Sequence, residues 1–438
     1  LFALGLALVT LRVFPFVLRL IGNLINVTTS VALLMALREL TRSIGRYRGA
    51  LLMMAFTLSL TGFTASMAST LDRSLSDSID YKVGADLVIV TAADAQTTTN
   101  DDGSYTVTGY NTPPVEELAK IDGVEAVSRV GRYTGRLKVG SQVLDGTLIG
   151  VDRYALAAVT LFRSDYSDQP LADLMNKLAG DRTGIILNRQ IADQYKLVEG
   201  QEVTIGIYAL ETWYESRVRV LGFVDYFPTM DPSKGFFVVT NIDPLHELAG
   251  TTLPYDAWLS LKPGADVTAV AEAVRAIGYP ALRFEEPTTE LAAARAEPVR
   301  RGVLGFLSVG FIAAIGLTLI AAIIQSTASF RAQSQQLGAL RAMGLGRNSV
   351  SGYLLLVQSL SAFGGIAGGT AIGVATTLLF LPLLDFSGGL PPYLVRVSWS
   401  EITIVYAVFA GVLFSVTLLT TIVLSREQLA TVVRLGEG

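Results

Sequence analysis

Long apolar runs constrain this chain more than any other feature, because about 20 consecutive apolar residues suffice for a helix to cross a bilayer. Five runs reach that length with few charges inside them, which is why 51% of the chain is hydrophobic. The sequence therefore predicts a membrane α-helical bundle. Its spans are expected within residues 1–22, 49–71, 301–327, 352–384 and 402–425.

The stretch between the second and third runs has a different composition. Residues 72–300 contain 33 acidic and 21 basic residues, and strand patterns alternate with helical ones. They predict a large mixed α/β domain with a net charge of −12, in which the polar run 91–104 forms an exposed loop. Strands are expected at 84–90, 135–152, 202–210, 216–225 and 234–240, and helices at 113–122, 186–197 and 265–277.

Arginines mark the cytoplasmic side of the predicted bundle, since short cytoplasmic loops carry an excess of Lys and Arg. They cluster in 23–48, in 328–351 and in the tail 426–438, so these segments are expected inside. The domain 72–300 and the loop 385–401 then lie outside, and helix 1–22 runs inward. Segment 23–48 suits either a basic helix along the inner interface or a plain cytoplasmic linker helix.

Residues suited to catalysis or metal binding are scarce. No phosphate-binding G-x-x-x-x-G-K-[ST] sequence occurs, so the chain is not expected to hydrolyse ATP. His246 is the one histidine and cysteine is absent, which predicts a structural or surface role for His246 and no metal site. Glu285 and Glu286 have no partner pattern and predict a solvated face. The acidic domain lacks the basic clusters that nucleic-acid binding requires.

Glycines recur in the fourth run, in the sequence FGGIAGGTAIG. Small residues four apart allow two helix backbones to approach closely in a membrane. The pattern predicts helix packing, and leaves open a mobile dimer seam. The residues concerned are Gly364, Gly365, Gly368, Gly369 and Gly373.

The segment SFRAQSQQLGALRAMGLGRNSVSGYLLLVQSL, between the third and fourth runs, resembles the coupling-helix region of FtsX-like (MacB-type) ABC transporter permeases. That family has the pattern Arg-x-x-Glu-Ile-Gly-x-Leu-Arg-Ala-Leu-Gly. Gln336 replaces the usual Glu, which removes a charge that could pair with the ATPase. The resemblance implies that the ATPase contact is formed by Gln336, Leu337, Gly338, Leu340, Arg341, Ala342, Met343 and Gly344.

The layout is similar to that family as well: a basic lead, a span, a large external domain and three further spans, over residues 38–438. Phrases of the external domain, such as DGTLIGVD, resemble the family's periplasmic domain. Helix 1–22 falls outside this four-span permease unit, and the chain begins without Met. We therefore expect a larger protein, of which this chain is the C-terminal half of a duplicated permease.

By that resemblance the chain binds no cofactor itself. A dimer of separate ABC ATPase subunits would bind ATP and Mg and would move the permease, which would work with a second permease half or chain in a bacterial inner membrane. The expected function is export or extraction of a lipid, lipoprotein, peptide or amphipathic drug, with a possible extracytoplasmic partner protein. One alternative is mechanotransmission to a cell-wall hydrolase, or peptide-antibiotic sensing, without transport; another is a membrane-anchored interaction domain.

Overall fold

The structure, a computed structural model, describes residues 44–102, 104–298, 347–383, 389–395 and 397–400, with scattered positions of 302–327 and most of 402–419. The described residues form two compact units. The α/β unit consists of Ser74–Ala296 with Gly389–Tyr393. The helical unit contains the described parts of Leu1–Arg73, Glu297–Gly388 and Leu394–Gly438.

The helical unit contains the two longest described helices. Helix α1, Ile44–Val83, has 40 residues and continues into the α/β unit, and helix α8, Arg347–Phe380, has 34 and is followed by a 3₁₀ turn. By length and composition two segments could cross a membrane, Leu51–Val83 and Ser359–Leu383. They overlap two of the five predicted spans. Shorter apolar helical stretches occupy Ser308–Leu317 and Ile402–Val412.

The prediction of a large mixed α/β domain is confirmed. Eleven strands and six helices follow α1 in the α/β unit as far as it is described. The strands are β1 (Leu87–Thr91), β2 (Asp94–Thr99), β3 (Tyr105–Asn111), β4 (Val124–Val139), β5 (Gln142–Val151), β6 (Gly184–Asn188), β7 (Glu202–Ala209), β8 (Thr212–Val224), β9 (Phe236–Asn241), β10 (Asp256–Leu261) and β11 (Ala281–Glu285). The helices are α2 (Leu156–Val159), α3 (Leu171–Gly180), α4 (Arg189–Tyr195), α5 (Ile242–Ala249), α6 (Val267–Ala276) and α7 (Pro287–Arg295).

Strand β4 organises this unit because its 16 residues pair with three neighbours in one nine-stranded sheet. Its first half pairs antiparallel with β10, and β10 is followed across the sheet by β1 and then β11. Its second half pairs with both β5 and β7. The pairings β5–β9, β9–β6, β6–β8 and β8–β7 complete a closed ring of six strands, a small barrel.

The core follows this division. The barrel interior is filled by aliphatic side chains that alternate along its strands, including Leu137, Leu148, Ile205 and Val220. The strands β11, β1 and β10 and the first half of β4 form the open sheet, which has a hydrophobic cluster of its own that contains Leu87 and Leu259. A third cluster joins the open sheet to the end of α1.

Two local predictions were wrong. The run 91–104 is exposed but is not a loop, because Asp94–Thr99 pairs with Tyr105–Asn111 as an antiparallel hairpin. The threonines favour a strand, and the Asp-rich turn 101–102 closes the hairpin. The helix expected at 186–197 begins only at Arg189, because residues 186–188 complete the buried strand β6.

Helix α1 ends against the open sheet at a glycine. Gly84 has φ +92°, in the left-handed region that glycine tolerates. A Cβ at Gly84 would overlap the indole ring of Trp258, which is fully buried. The junction between α1 and β1 therefore requires glycine for its backbone angle and for its space.

We expect Gly84→Ala to destabilise the protein by roughly 2–4 kcal/mol, through backbone strain and overpacking against Trp258. Intrinsic tryptophan fluorescence during thermal unfolding of the purified full chain in detergent measures this loss. The matched control is Gly180→Ala, because a Cβ there meets nothing within 4 Å. Equal melting temperatures for the two variants would contradict the packing argument.

Candidate functional site

The eight residues predicted to contact an ATPase, from Gln336 to Gly344, lie outside the described residues. Their role stays a prediction. The glycines of the fourth run are described, and they lie on α8.

Three of these glycines face α1, which forms a close helix seam within the helical unit. A Cβ on Gly369 would lie 2.7 Å from Cβ of Leu58 and 3.0 Å from the carbonyl oxygen of Ala55. One on Gly365 would lie 2.9 Å from Cβ of Met54. Since real Cβ atoms almost never approach so closely, the seam has no room for a side chain at these positions.

The seam continues along α8 at Gly373, where the two backbones approach directly. A Cβ on Gly373 would lie 3.1 Å from the carbonyl oxygen of Ser59 and 3.6 Å from Cα of Gly62. Beside it, the Tyr406 hydroxyl donates a hydrogen bond of 2.9 Å to the carbonyl of Leu58. The other two predicted glycines differ in burial: Gly364 is buried and Gly368 is half-buried.

A charged cluster lies within the α/β unit beside the last turns of α1. The Arg163 guanidinium donates to Asp77 on α1 at 2.6 Å and, through Nε, to Asp165 at 2.5 Å. It also donates to the carbonyl oxygen of Pro392 at 2.7 Å. Burial, the largest single effect, lowers the pKa of Arg163, but the hydrogen bonds to Asp165 and Asp77 and the nearby charges together outweigh it, so the pKa is raised. Arg163 is therefore charged and lies between three acceptors.

Aromatic side chains surround this cluster. The Arg163 guanidinium lies 5.0 Å from the ring centroid of Tyr166. Tyr166 in turn packs edge-on against Tyr81 of α1 and Phe162, with centroids 5.4 and 5.3 Å away. The Tyr81 hydroxyl donates to the carbonyl of Met230. The end of α1 is thereby held by stacking as well as by charge.

His246 forms a second polar cluster, on α5 beside the barrel. Its Nε2 lies 3.4 Å from the Tyr133 hydroxyl, and its ring stacks on Tyr255 at 6.2 Å. Burial, together with the nearby Arg129 cation, lowers the pKa of His246 to about 4, although Asp243 opposes the shift. His246 is therefore a neutral packing residue at physiological pH. No group of three metal-ligating side chains occurs in the described part of the chain.

Sequence reasoning missed the Arg163 cluster. Its parts lie far apart in the chain, at the end of α1, in the loop after α2 and in Gly389–Tyr393. The sequence LFRSDYSD offered a weak signal, an arginine beside two aspartates in an aromatic setting. Nothing in it identifies a carbonyl 229 residues away as a partner.

Filling the glycine seam should separate α1 from α8. We expect Gly369→Leu to lower the apparent melting temperature of the full chain in detergent by several degrees, because overpacking typically costs about 1–3 kcal/mol. Gly411→Leu is the control, since a Cβ at Gly411 meets nothing within 4 Å. A Gly369→Leu variant as stable as this control would show that α1 and α8 do not depend on the seam.

Acid should destabilise the α/β unit through His246. The folded pKa of about 4 lies below the ordinary 6.5, so the unfolded chain binds the proton first as the pH falls. The contribution of neutral His246 to the free energy of unfolding is fully present above pH 6.5, and it is lost as the pH falls from about 6.5 to 4. After allowance for solvent screening, the effect is about 1–2 kcal/mol.

His246→Gln removes this titration and leaves a polar group beside Tyr133. We expect the melting temperature of this variant to fall less than that of the unchanged chain between pH 7.5 and pH 5, by about 2–6 °C. Identical falls in the two proteins would mean that His246 titrates normally in the folded state.

Two of the solved structures similar to this chain are periplasmic or extracellular domains. The periplasmic region of MacB from Actinobacillus actinomycetemcomitans is 12% identical, with a TM-score of 0.32, over 49% of this chain and 95% of that one. The extracellular domain of the noncanonic ABC-type transporter YknZ from Gram-positive bacteria is 13% identical, with a TM-score of 0.29, over 46% of this chain and 97% of that one. No curated protein matches the chain.

The family is identified by sequence. Residues 50–277, just over half of the chain, match the family model described as the MacB-like periplasmic core domain. The match starts within α1 and ends just after α6, so it includes the barrel and most of the open sheet. This makes the chain a membrane protein whose α/β domain is extracytoplasmic. The chain belongs to the FtsX/MacB-like family of ABC transporter permeases, which carry this core domain.

Proposed function

We propose that this chain is the permease subunit of an ATP-driven transporter that exports a lipid, lipoprotein, peptide or amphipathic drug, or extracts it from the outer leaflet. Its general role as an ABC permease follows from its family. The finer proposal is that motion of a separate ATPase reaches the extracytoplasmic domain mechanically. The observation that carries it is the length and continuity of α1.

Helix α1 is about twice as long as a membrane span. Its 40 residues extend about 60 Å at 1.5 Å per residue, whereas the hydrocarbon core is about 30 Å thick. Residues 44–73 belong to the helical unit and residues 74–83 to the α/β unit, with no proline between them. One hydrogen-bonded rod therefore supports transmission of a displacement from a membrane span into the domain.

The glycine seam supports the same proposal. Since α8 contributes no side chain to the seam at Gly369 and Gly373, its backbone lies directly against α1, and a shift of one helix bears on the other. Interfaces packed this closely change between discrete arrangements rather than deforming continuously. The seam suits a two-state permease in which α1 and α8 move together.

The remaining parts of the proposal concern partners. A dimer of ATPase subunits binds ATP and Mg and contacts the segment around Gly338 and Arg341. A second permease half or chain completes the transporter, and the substrate is handled outside. The proposed location is a bacterial inner membrane, crossed by the five predicted spans, with the arginine-rich segments in the cytoplasm.

The same continuity of α1 also favours a second function. A rod that ends in an extracytoplasmic domain could activate a cell-wall hydrolase or report a bound antimicrobial peptide, with nothing transported. Capture of such a partner by the domain, together with an ATPase response and no transport, would distinguish this function. A membrane-anchored interaction domain remains the outcome if no ATPase binds.

Co-purification tests the proposal. We expect the full-length protein to retain an ABC ATPase partner from its own organism, and Gly338→Trp and Arg341→Glu to reduce the recovered ATPase by about tenfold or more, because each disrupts the predicted contact surface. Arg182→Ala, on the exposed surface of the α/β unit, is the control. Failure of the unchanged protein to retain any ATPase would favour the anchor function.

A further inference from the structure

We propose that Arg163 is a positioning residue that fastens the segment Gly389–Tyr393 to the last turns of α1. This segment follows α8 and precedes the helical stretch Ile402–Val412. The contact thus joins the end of one long helix to the connection between two later ones. Its mechanical purpose rests on the proposed function, whereas the contact itself does not.

The shape of the guanidinium makes this contact specific. Arg163 directs Nη1 to Asp77 on α1, and Nε and Nη2 to the two carboxylate oxygens of Asp165. Nη2 also donates to the carbonyl oxygen of Pro392 at 2.7 Å. A planar group with five N–H donors can satisfy all these acceptors at once, whereas a lysine ammonium has three donors and no fork.

Burial makes the contact costly to lose. The Arg163 side chain is 15% exposed and that of Asp77 is 23% exposed. A charge at this depth needs paired hydrogen bonds, and removal of Arg163 would leave Asp77 without its guanidinium partner. Arg163 therefore contributes more to holding the structure than an exposed ion pair does. In the pair of Arg182 with Glu247, for comparison, the side chains are 61% and 66% exposed.

A second hydrogen bond lies beside the first. The Ser78 hydroxyl, one residue after Asp77 on α1, donates to the carbonyl of Leu390 at 3.1 Å. The segment therefore presents two carbonyls to neighbouring residues of α1 and to Arg163. Pro391 and Pro392 have no N–H groups, and the segment forms no helix or strand, so its carbonyls depend on donors from other parts of the chain.

The consequence is that α1 and the connection after α8 move as one piece outside the membrane. At the seam the two helices are coupled by packing, and at Arg163 the chain beyond α8 is coupled to α1 by hydrogen bonds. If an ATPase displaces α1, as proposed above, this contact carries the displacement into the last helices. Without Arg163 the hydrogen bond from Ser78 to the Leu390 carbonyl still links the two, and the coupling is weakened.

Cross-linking tests the contact directly, because the chain contains no cysteine of its own. The full chain carries Ser78→Cys and Leu390→Cys, is reconstituted in nanodiscs and is treated with a short bis-methanethiosulfonate cross-linker. We expect Arg163→Ala to slow the cross-linking about tenfold, because the strong charge-assisted hydrogen bonds are lost. Arg182→Ala should leave the rate unchanged.

Arg163→Lys separates positioning from folding. It keeps the charge beside Asp77 and Asp165 but cannot also hold the Pro392 carbonyl, so we expect slower cross-linking with a melting temperature close to that of the unchanged chain. If Arg163→Ala fails to fold, the lysine variant decides. A cross-linking rate equal to that of the Arg182→Ala control in a folded Arg163 variant would overturn the proposal.

A second cross-linking experiment includes the ATPase. With the partner bound, ATP and vanadate should change the cross-linking rate in the unchanged background and should not change it in the Arg163→Lys background. Loss of the contact in the variants without any ATPase binding would refute the proposed function and leave the contact established. Equal rates in all variants would refute the contact, whatever the ATPase does.

Discussion

The backbone hydrogen bonds of α1 are the interaction on which the rest of the structure depends. A bilayer offers no water to satisfy N–H and C=O groups, so a chain that crosses it must satisfy them within the helix. In α1 the same ladder continues for the 40 residues from Ile44 to Val83. The apolar part belongs to the helical unit and the polar part to the α/β unit. The transmission of a displacement proposed above relies on this continuous ladder.

Strands could be predicted where apolar and polar residues alternate regularly along the sequence. The expected strands at 202–210 and 216–225 correspond to β7 and β8, because apolar residues of the barrel point inward at every second position. Strand β6 was missed, since its five residues are buried on both sides and GIILN has no alternation to detect. The hairpin of β2 and β3 was missed because its strands are exposed on both faces and look like a polar loop.

Of the functional features, the glycine seam could be predicted in part from the sequence, and the Arg163 cluster could not. Glycines four apart on an apolar helix indicate close packing because the spacing alone brings them to one face. That reasoning could not select Gly365, Gly369 and Gly373 over Gly364 and Gly368 as the residues that face α1, since the choice depends on how the helix is rotated. Arg163 could not be identified at all. Its partners lie 86 and 229 residues away, and one of them is a main-chain carbonyl that any amino acid provides.

The order of strands in the open sheet determines when this domain can fold. Strand β11, the last described strand, pairs with β1, the first described one, and β4 can pair with β10 only after more than a hundred further residues. Pairings between distant parts of a chain form slowly, because the intervening loop must close first. During synthesis the sheet therefore stays incomplete until Glu285 has emerged on the outer face. Until β11 is available, the acidic chain between β1 and β11 cannot complete its sheet, so the whole stretch must be present before the domain reaches its native pairing.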